Sequence, residues 1–139
     1  MREIKFRAWL KGQMVYITPD DDYFIDGDGR LVKIEQIENG SSYQGFEDHE
    51  CNLMQYTGLK DKDGREIYEG DIVQQNFKDV YNQSQAFVGE VVYSDCVYWL
   101  KNDDEYTFLY DEHGIYNSIV IGNIYENPEL LEELQNESK

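Results

Sequence analysis

The chain has 139 residues, with 12 basic and 29 acidic side chains, for a formal net charge of −17. That size accommodates one domain, or one domain with a small annex, and area scaling lets about two-thirds of the unfolded surface be buried. An aromatic share of 14% argues against an acidic disordered chain. No run of 18 apolar residues is present, and the basic N-terminus has no apolar h-region, so neither a transmembrane helix nor a secretory signal is expected. The charge disfavours direct binding to nucleic acid or anionic lipid.

Along the chain the pattern is mostly period two. Ile4, Phe6, Ala8 and Leu10 alternate with Lys5, Arg7 and Trp9, which predicts a half-buried strand with a polar outer side. Trp9 on that polar side reads as packing under a loop, with an interface on that face as the alternative. Met14–Ile17 reads as the returning strand, ended by Pro19. After the acidic loop Asp20–Asp22 come a short strand at Tyr23–Ile25, a tight turn at Asp26–Gly29 and a strand at Leu31–Ile37. Asn39–Glu50 is polar and reads as a surface loop.

Asn52–Thr57 predicts a strand, and Asp61–Gly64 a second Asp-Gly turn leading to Glu66–Tyr68. Gly70 then bends the chain into Asp71–Val73. Lys78–Ser84 reads as a loop. Ala86–Tyr93, Val97–Lys101 and Tyr106–Tyr110 are aromatic and β-branched strands. Within Ser118–Tyr125, the run Ile119-Val120-Ile121 suits a strand buried on both faces. Strands at this spacing point to a barrel or sandwich. One helix is signalled near the end: Asn127 as N-cap, Pro128 at the first helical position, Glu129 at the positive end of the dipole, and Leu130, Leu131 and Leu134 on one face.

Charge is unevenly spread. Met1–Lys11 holds four bases and one acid (+3), and Asp71–Lys139 three bases and 14 acids (−11). These regions could pair within the chain or between copies, but two solvated faces are the simpler reading. Twelve Tyr and two Trp suit either an interface or half-buried strand positions.

The chemistry-bearing residues select no active site. D-x-D-G occurs twice, as in a calcium loop. With Gly29 at loop position 6 the first ligand position falls on Phe24; with Gly64 there, positions 1 and 12 fall on Leu59 and Gly70. Both are therefore expected to be hairpin turns. Asp48-His49-Glu50-Cys51 offers four ligand types in a row, but adjacent extended residues point opposite ways, and no zinc spacing accompanies them. Cys51, Cys96, His49 and His113 make a Cys–His dyad arithmetically possible, without any spacing that selects one. Cys96 at a strand start reads as a core or rim thiol, and two cysteines are too few for a disulfide scaffold, so reduced thiols are expected. No phosphate-binding glycine loop occurs. The expectation is a non-enzyme with no catalytic, cofactor-binding or metal residue and no cofactor.

The stretch Met54-Gln55-Tyr56-Thr57-Gly58-Leu59-Lys60-Asp61-Lys62-Asp63-Gly64-Arg65-Glu66-Ile67-Tyr68-Glu69-Gly70-Asp71-Ile72-Val73 closely resembles the signature of the YopX family of phage and prophage proteins. Lys5-Phe6-Arg7-Ala8-Trp9 and Ile121–Leu131 resemble that family's N-terminal strand and C-terminal tail, although Leu10 stands where an acidic residue is expected. The resemblance implies a mainly β fold: an N-terminal β annex and loop over residues 1–53 that self-associates, and an SH3-like barrel with a short C-terminal helix over 54–139. It implies no catalytic residue, since the family's function is not established. The expected role is a phage accessory protein in the host bacterial cytoplasm. It would act through protein–protein contacts, as a homo-oligomer and with a host or phage protein. The alternative is an acidic DNA mimic that inhibits a host nucleic-acid enzyme, which needs carboxylates at phosphate-like spacing.

Overall fold

The computed structural model describes residues 3–110 and 117–132. The fold is mainly β, as expected, and divides into two units between Gln55 and Tyr56.

In the first unit, β1 (Phe6–Leu10) lies between β2 (Gln13–Ile17) and the first half of β6 (Cys51–Lys60). Phe6, Ala8 and Leu10 share one face by period two. Ala8 and Leu10 form a core with Leu31 and Phe46, against which Val15, Ile17 and Leu53 pack. The expected polar side of β1 is not solvated. Arg7 and its cross-strand neighbour Met54 are both buried, and Trp9 is half-buried. A strand with neighbours on both edges also has its second face covered here, which a single-strand pattern cannot reveal.

A second sheet in this unit has the order β3 (Tyr23–Ile25), β4 (Leu31–Ile37), β5 (Gly40–Gly45), all antiparallel. β5 falls in the segment that sequence reads as loop. Its residues Gly-Ser-Ser-Tyr-Gln-Gly have low strand propensity, and the ladder to β4 imposes the strand: Ile34 faces Tyr43 and Glu35 faces Ser42. Such context dependence is typical of edge strands.

The second unit begins with the remainder of β6 pairing irregularly with β7 (Glu66–Tyr68). A five-stranded antiparallel sheet follows, in the order β11 (Glu105–Phe108), β10 (Val97–Asn102), β9 (Ser84–Ser94), β8 (Asp71–Lys78), β12 (Ser118–Asn123). Val73, Val91, Leu100 and Val120 alternate onto one face and pack with Ile67 and Leu109. Full burial of each such Ile or Leu contributes about 1.5–3 kcal/mol. The sheet curls into a half-barrel. Gln75 on β8 donates its side-chain amide to the carbonyls of Phe108 (3.1 Å) and Leu109 (3.2 Å), across two intervening strands.

β12 departs from the pattern expected of Ile119-Val120-Ile121. Val120 is buried, but Ile121 is exposed. The register shifts between Val120 and Gly122, so Ile121 is the extra residue of a β-bulge. At the end of β12, Gly122 is needed for close approach: a Cβ there would meet Asn127 Oδ1 at 2.5 Å. Asn127 Oδ1 accepts the Asn123 amide at 3.3 Å, so it staples the strand end instead of capping the helix as expected. The helix itself is a single turn over 129–132, with Leu130 and Leu131 half-buried; Leu134 lies outside the described residues. Among the described residues no helix is long and apolar enough to cross a membrane.

Candidate interaction surfaces

The D-x-D-G segments are turns of one construction, and a third turn shares it. In each, an Asp opens a hairpin and exchanges backbone hydrogen bonds with the residues three and four positions on. Asp26 pairs with Gly29 and Arg30, Asp61 with Gly64 and Arg65, and Asp79 with Asn82 and Gln83, at 2.8–3.1 Å. In each, the carboxylate Oδ1 accepts the amides two and four residues on, at 2.9–3.0 Å. The fourth residue takes positive φ: Gly29 +81°, Gly64 +85°, Asn82 +62°. Glycine meets that demand without strain, and Asn is the side chain that tolerates it best.

The second oxygen distinguishes them. Asp61 is buried, and its Oδ2 accepts the Val120 amide at 3.0 Å on β12. Lys62 donates its amide to Ser118 O at 3.0 Å, and Arg65 Nη1 reaches Val120 O at 3.3 Å. This turn therefore covers the outer edge of β12, protecting it from pairing with another chain. Burial alone would raise the Asp61 carboxyl, but the amides of Val120, Arg65 and Asp63 and the Arg65 charge outweigh it and hold the group below its usual range. Asp79 Oδ2 instead accepts Gln85 Nε2 locally at 3.1 Å. The Gln83 amide is the main cause of its lowered carboxyl, helped by Gln85 and Tyr81. At Asp26 the Arg30 amide leads.

The two exposed positions of each turn also differ. They are Gly27 and Asp28 in the first and Lys62 and Asp63 in the second, but Val80 and Tyr81 in the third, 93% and 81% exposed. The Asp79 turn tips an arm. β10 pairs with β9 only over Glu90–Ser94, and β12 pairs with β8 only as far as Gln75. Past the contacts of Asn76 with Asn117 and of Val88 with Asn102, no further strand pairs with the β8–β9 hairpin among the described residues, and Phe77 on it is also exposed. Sequence reads this segment as an ordinary loop. The available signal is Asp79-x-x-Asn82, which repeats Asp61-x-x-Gly64 with Asn for Gly.

Two further exposed surfaces stand out. Among the described residues β5 pairs with β4 alone and forms an edge of its sheet, exposed throughout, with no charge, proline or bulge along it. Tyr43 on β5 packs edge-to-face with Phe24 at 6.3 Å. On β10–β11, the face opposite Leu100 carries Trp99 stacked on Phe108 at 4.5 Å, with Tyr106 edge-on to Trp99 at 6.2 Å. Phe108 and Tyr106 are about half exposed.

The residues considered for catalysis or metal binding are not brought together. Asp48 and His49 are exposed in the turn that precedes β6. Cys51 opens β6, where burial, then the carboxylates of Asp48 and Glu50, push its thiol up and keep it protonated. Cys96 is neither core nor strand: it sits exposed in a two-residue turn with Asp95, both at positive φ. His113 lies outside the described residues. Among the described residues no group of three or more His, Cys, Asp or Glu is placed to hold a metal ion.

These features define a two-unit, mainly β protein whose signature residues hold turns and strand edges. A family model described as YopX protein matches residues 5–132, and the chain belongs to the YopX family. It is similar to the crystal structure of YopX from Bacillus subtilis, at 26% identity and a TM-score of 0.61, over 91% of this chain and 95% of that one. It is also similar to a crystal structure from Enterococcus faecalis, at 30% identity and 0.61, over 94% and 99% respectively. No curated protein matches the chain.

Proposed function

We propose that the protein is a phage or prophage accessory protein that works in the host bacterial cytoplasm through protein–protein contacts, without catalysis, and that it self-associates through its N-terminal annex. The observation that carries this reading is the open β5 edge. Among the described residues its outer row of amides and carbonyls meets no other strand, so it can act as a template for one, and the strand itself carries no charge, proline or bulge to blunt it. Two copies of Gly40–Gly45 pairing antiparallel about a two-fold axis would continue the sheet from one chain into the next. By contrast, the outer edge of β12 is covered by the Asp61 turn.

Sedimentation equilibrium over a wide concentration range tests this. Wild type is expected to exceed the mass of one chain, and Ser42→Lys with Gln44→Lys to lower it, because like charges meet across the paired edges. Both positions are exposed, so the fold is retained. An unchanged mass in the double variant would remove the β5 edge as the contact.

A further inference from the structure

We propose that Asn39-Gly40, at the turn between β4 and β5, is a self-modifying site. The Gly40 nitrogen displaces ammonia from the Asn39 side chain, and the isoaspartyl product releases β5 from its sheet. The modification stands on the chemistry of the turn. Its effect on assembly rests on the self-association reading, whose β5 edge it would switch off.

Three observations single out this residue. Asn39 is the one asparagine of the chain that precedes glycine. At the others, a Cβ on the following residue crowds the nitrogen that must reach the Asn side chain. Gly40 has none, and nothing beyond its chain neighbours lies within 4 Å of where a Cβ would stand. Both residues are exposed, and the Asn39 side chain makes no hydrogen bond with the described residues. By contrast, Asn102 donates its side-chain amide to Val88 O at 2.8 Å, and the Asn123 and Asn127 oxygens accept backbone amides. Finally, the turn is weakly held. Glu38 and Asn39 form its tip, Ile37 pairs with Gly40 at its base, and the arm that follows is the exposed β5, with little strand propensity of its own. Such an end opens at small cost, which frees the Gly40 amide to react.

Solvent base takes the Gly40 amide proton. The nitrogen bonds to Asn39 Cγ, the Cγ–Nδ2 bond breaks, and Nδ2 leaves as ammonia with a proton from water. The result is a cyclic imide, which water then opens. Attack at Cγ gives an aspartyl side chain at position 39. Attack at the main-chain carbonyl carbon gives an isoaspartyl linkage, in which the backbone runs through Cβ and Cγ to Gly40. No oxidant or reductant takes part. Either product adds a carboxylate beside Glu38. The isoaspartyl form also lengthens the backbone by a methylene inside a two-residue turn, so the Ile37–Gly40 and Gln36–Ser41 pairs lose their register. β4 keeps β3 on its other side, so the loss falls on β5.

The test ages the full chain in warm, mildly alkaline buffer and follows every asparagine by peptide mapping. An isoaspartyl methyltransferase labels the altered linkage. Asn39 is expected to convert about tenfold or more faster than any other asparagine, and Asn39→Gln to abolish that fast phase. At low concentration, the β5 amides paired with β4 should exchange hydrogen about tenfold or more faster in the isoaspartyl chain, with β8 and β9 unchanged. Freshly made Asn39→Asp carries the charge without the extra methylene and should keep its β5 protection. Earlier conversion at another asparagine, a fast phase that survives Asn39→Gln, or an isoaspartyl chain with undiminished β5 protection each overturns the proposal. Assembly is read separately, by sedimentation. The aged chain should lose the same association that Ser42→Lys with Gln44→Lys removes. If that double variant keeps the wild-type mass, the β5 contact fails while mapping and exchange still judge the site. If the double variant loses mass and the isoaspartyl chain does not, the switch fails and the contact stands.

Discussion

The turns at Asp61 and Asp79 share one backbone design and opposite surroundings. Asp61 reaches across the chain to Val120 and is buried there; Asp79 satisfies itself within its own hairpin and ends in solvent. Nearly the same local chemistry therefore serves as a tertiary latch in one place and as a rigid stalk in the other. The difference lies in what the second carboxylate oxygen finds and in what the two turn-tip residues are.

The largest expected effect that would break this comparison is at Asp61. Asp61→Ala leaves the buried Val120 amide without its acceptor and uncaps the turn, and should cost about 2–4 kcal/mol in denaturant unfolding. Asp79→Ala should cost only a fraction of that, because its amides can turn to water. Equal losses would show that the latch and the stalk do not differ.

Acid should sharpen it next. The folded Asp61 carboxyl lies below its ordinary value of 3.8, so its stabilisation is present above that value and is lost as pH falls through the lower, folded one. Asp26 and Asp79 shift in the same direction. Stability should fall on acidification below about pH 4, and Asp61→Asn should flatten that fall, as read by unfolding midpoints across the range.

A smaller effect is expected at the left-handed position. Gly64→Ala should cost about 1 kcal/mol through backbone strain alone, since the space around a Cβ there is open. Asn82→Gly should change stability by only a few tenths of a kcal/mol. The smallest change is expected on exchanging tip residues. Val80→Lys with Tyr81→Asp, which copies the Asp61 turn, should leave stability within about 0.5 kcal/mol. A large loss there would mean that Val80 and Tyr81 serve the fold.

Most of the strands and two of the three Asp turns are legible in the sequence, because alternation and Asp-Gly chemistry act over a few residues. The third turn is hidden by Asn82 in place of Gly and by an apolar tip that resembles no turn. β5 is hidden because a Gly-Ser-rich hexapeptide becomes a strand only when β4 supplies its partners. Cys96 reads as a core or rim thiol at a strand start, and its place in the turn is hidden because a turn with two positive-φ residues can hold non-glycine side chains when strands on both sides demand it.

By itself the sequence determined the mainly β class, the family, and the two Asp-Gly turns at Asp26–Gly29 and Asp61–Gly64. Those are contests between neighbouring groups, settled by short-range sterics and hydrogen bonding. Only the tertiary structure decided that Asp61 is buried against β12, that Ile121 bulges outward, that Arg7 is covered, and that Val80 and Tyr81 project beyond the sheet. Each depends on which distant strand lies alongside and where its pairing stops, and long-range packing alone sets both.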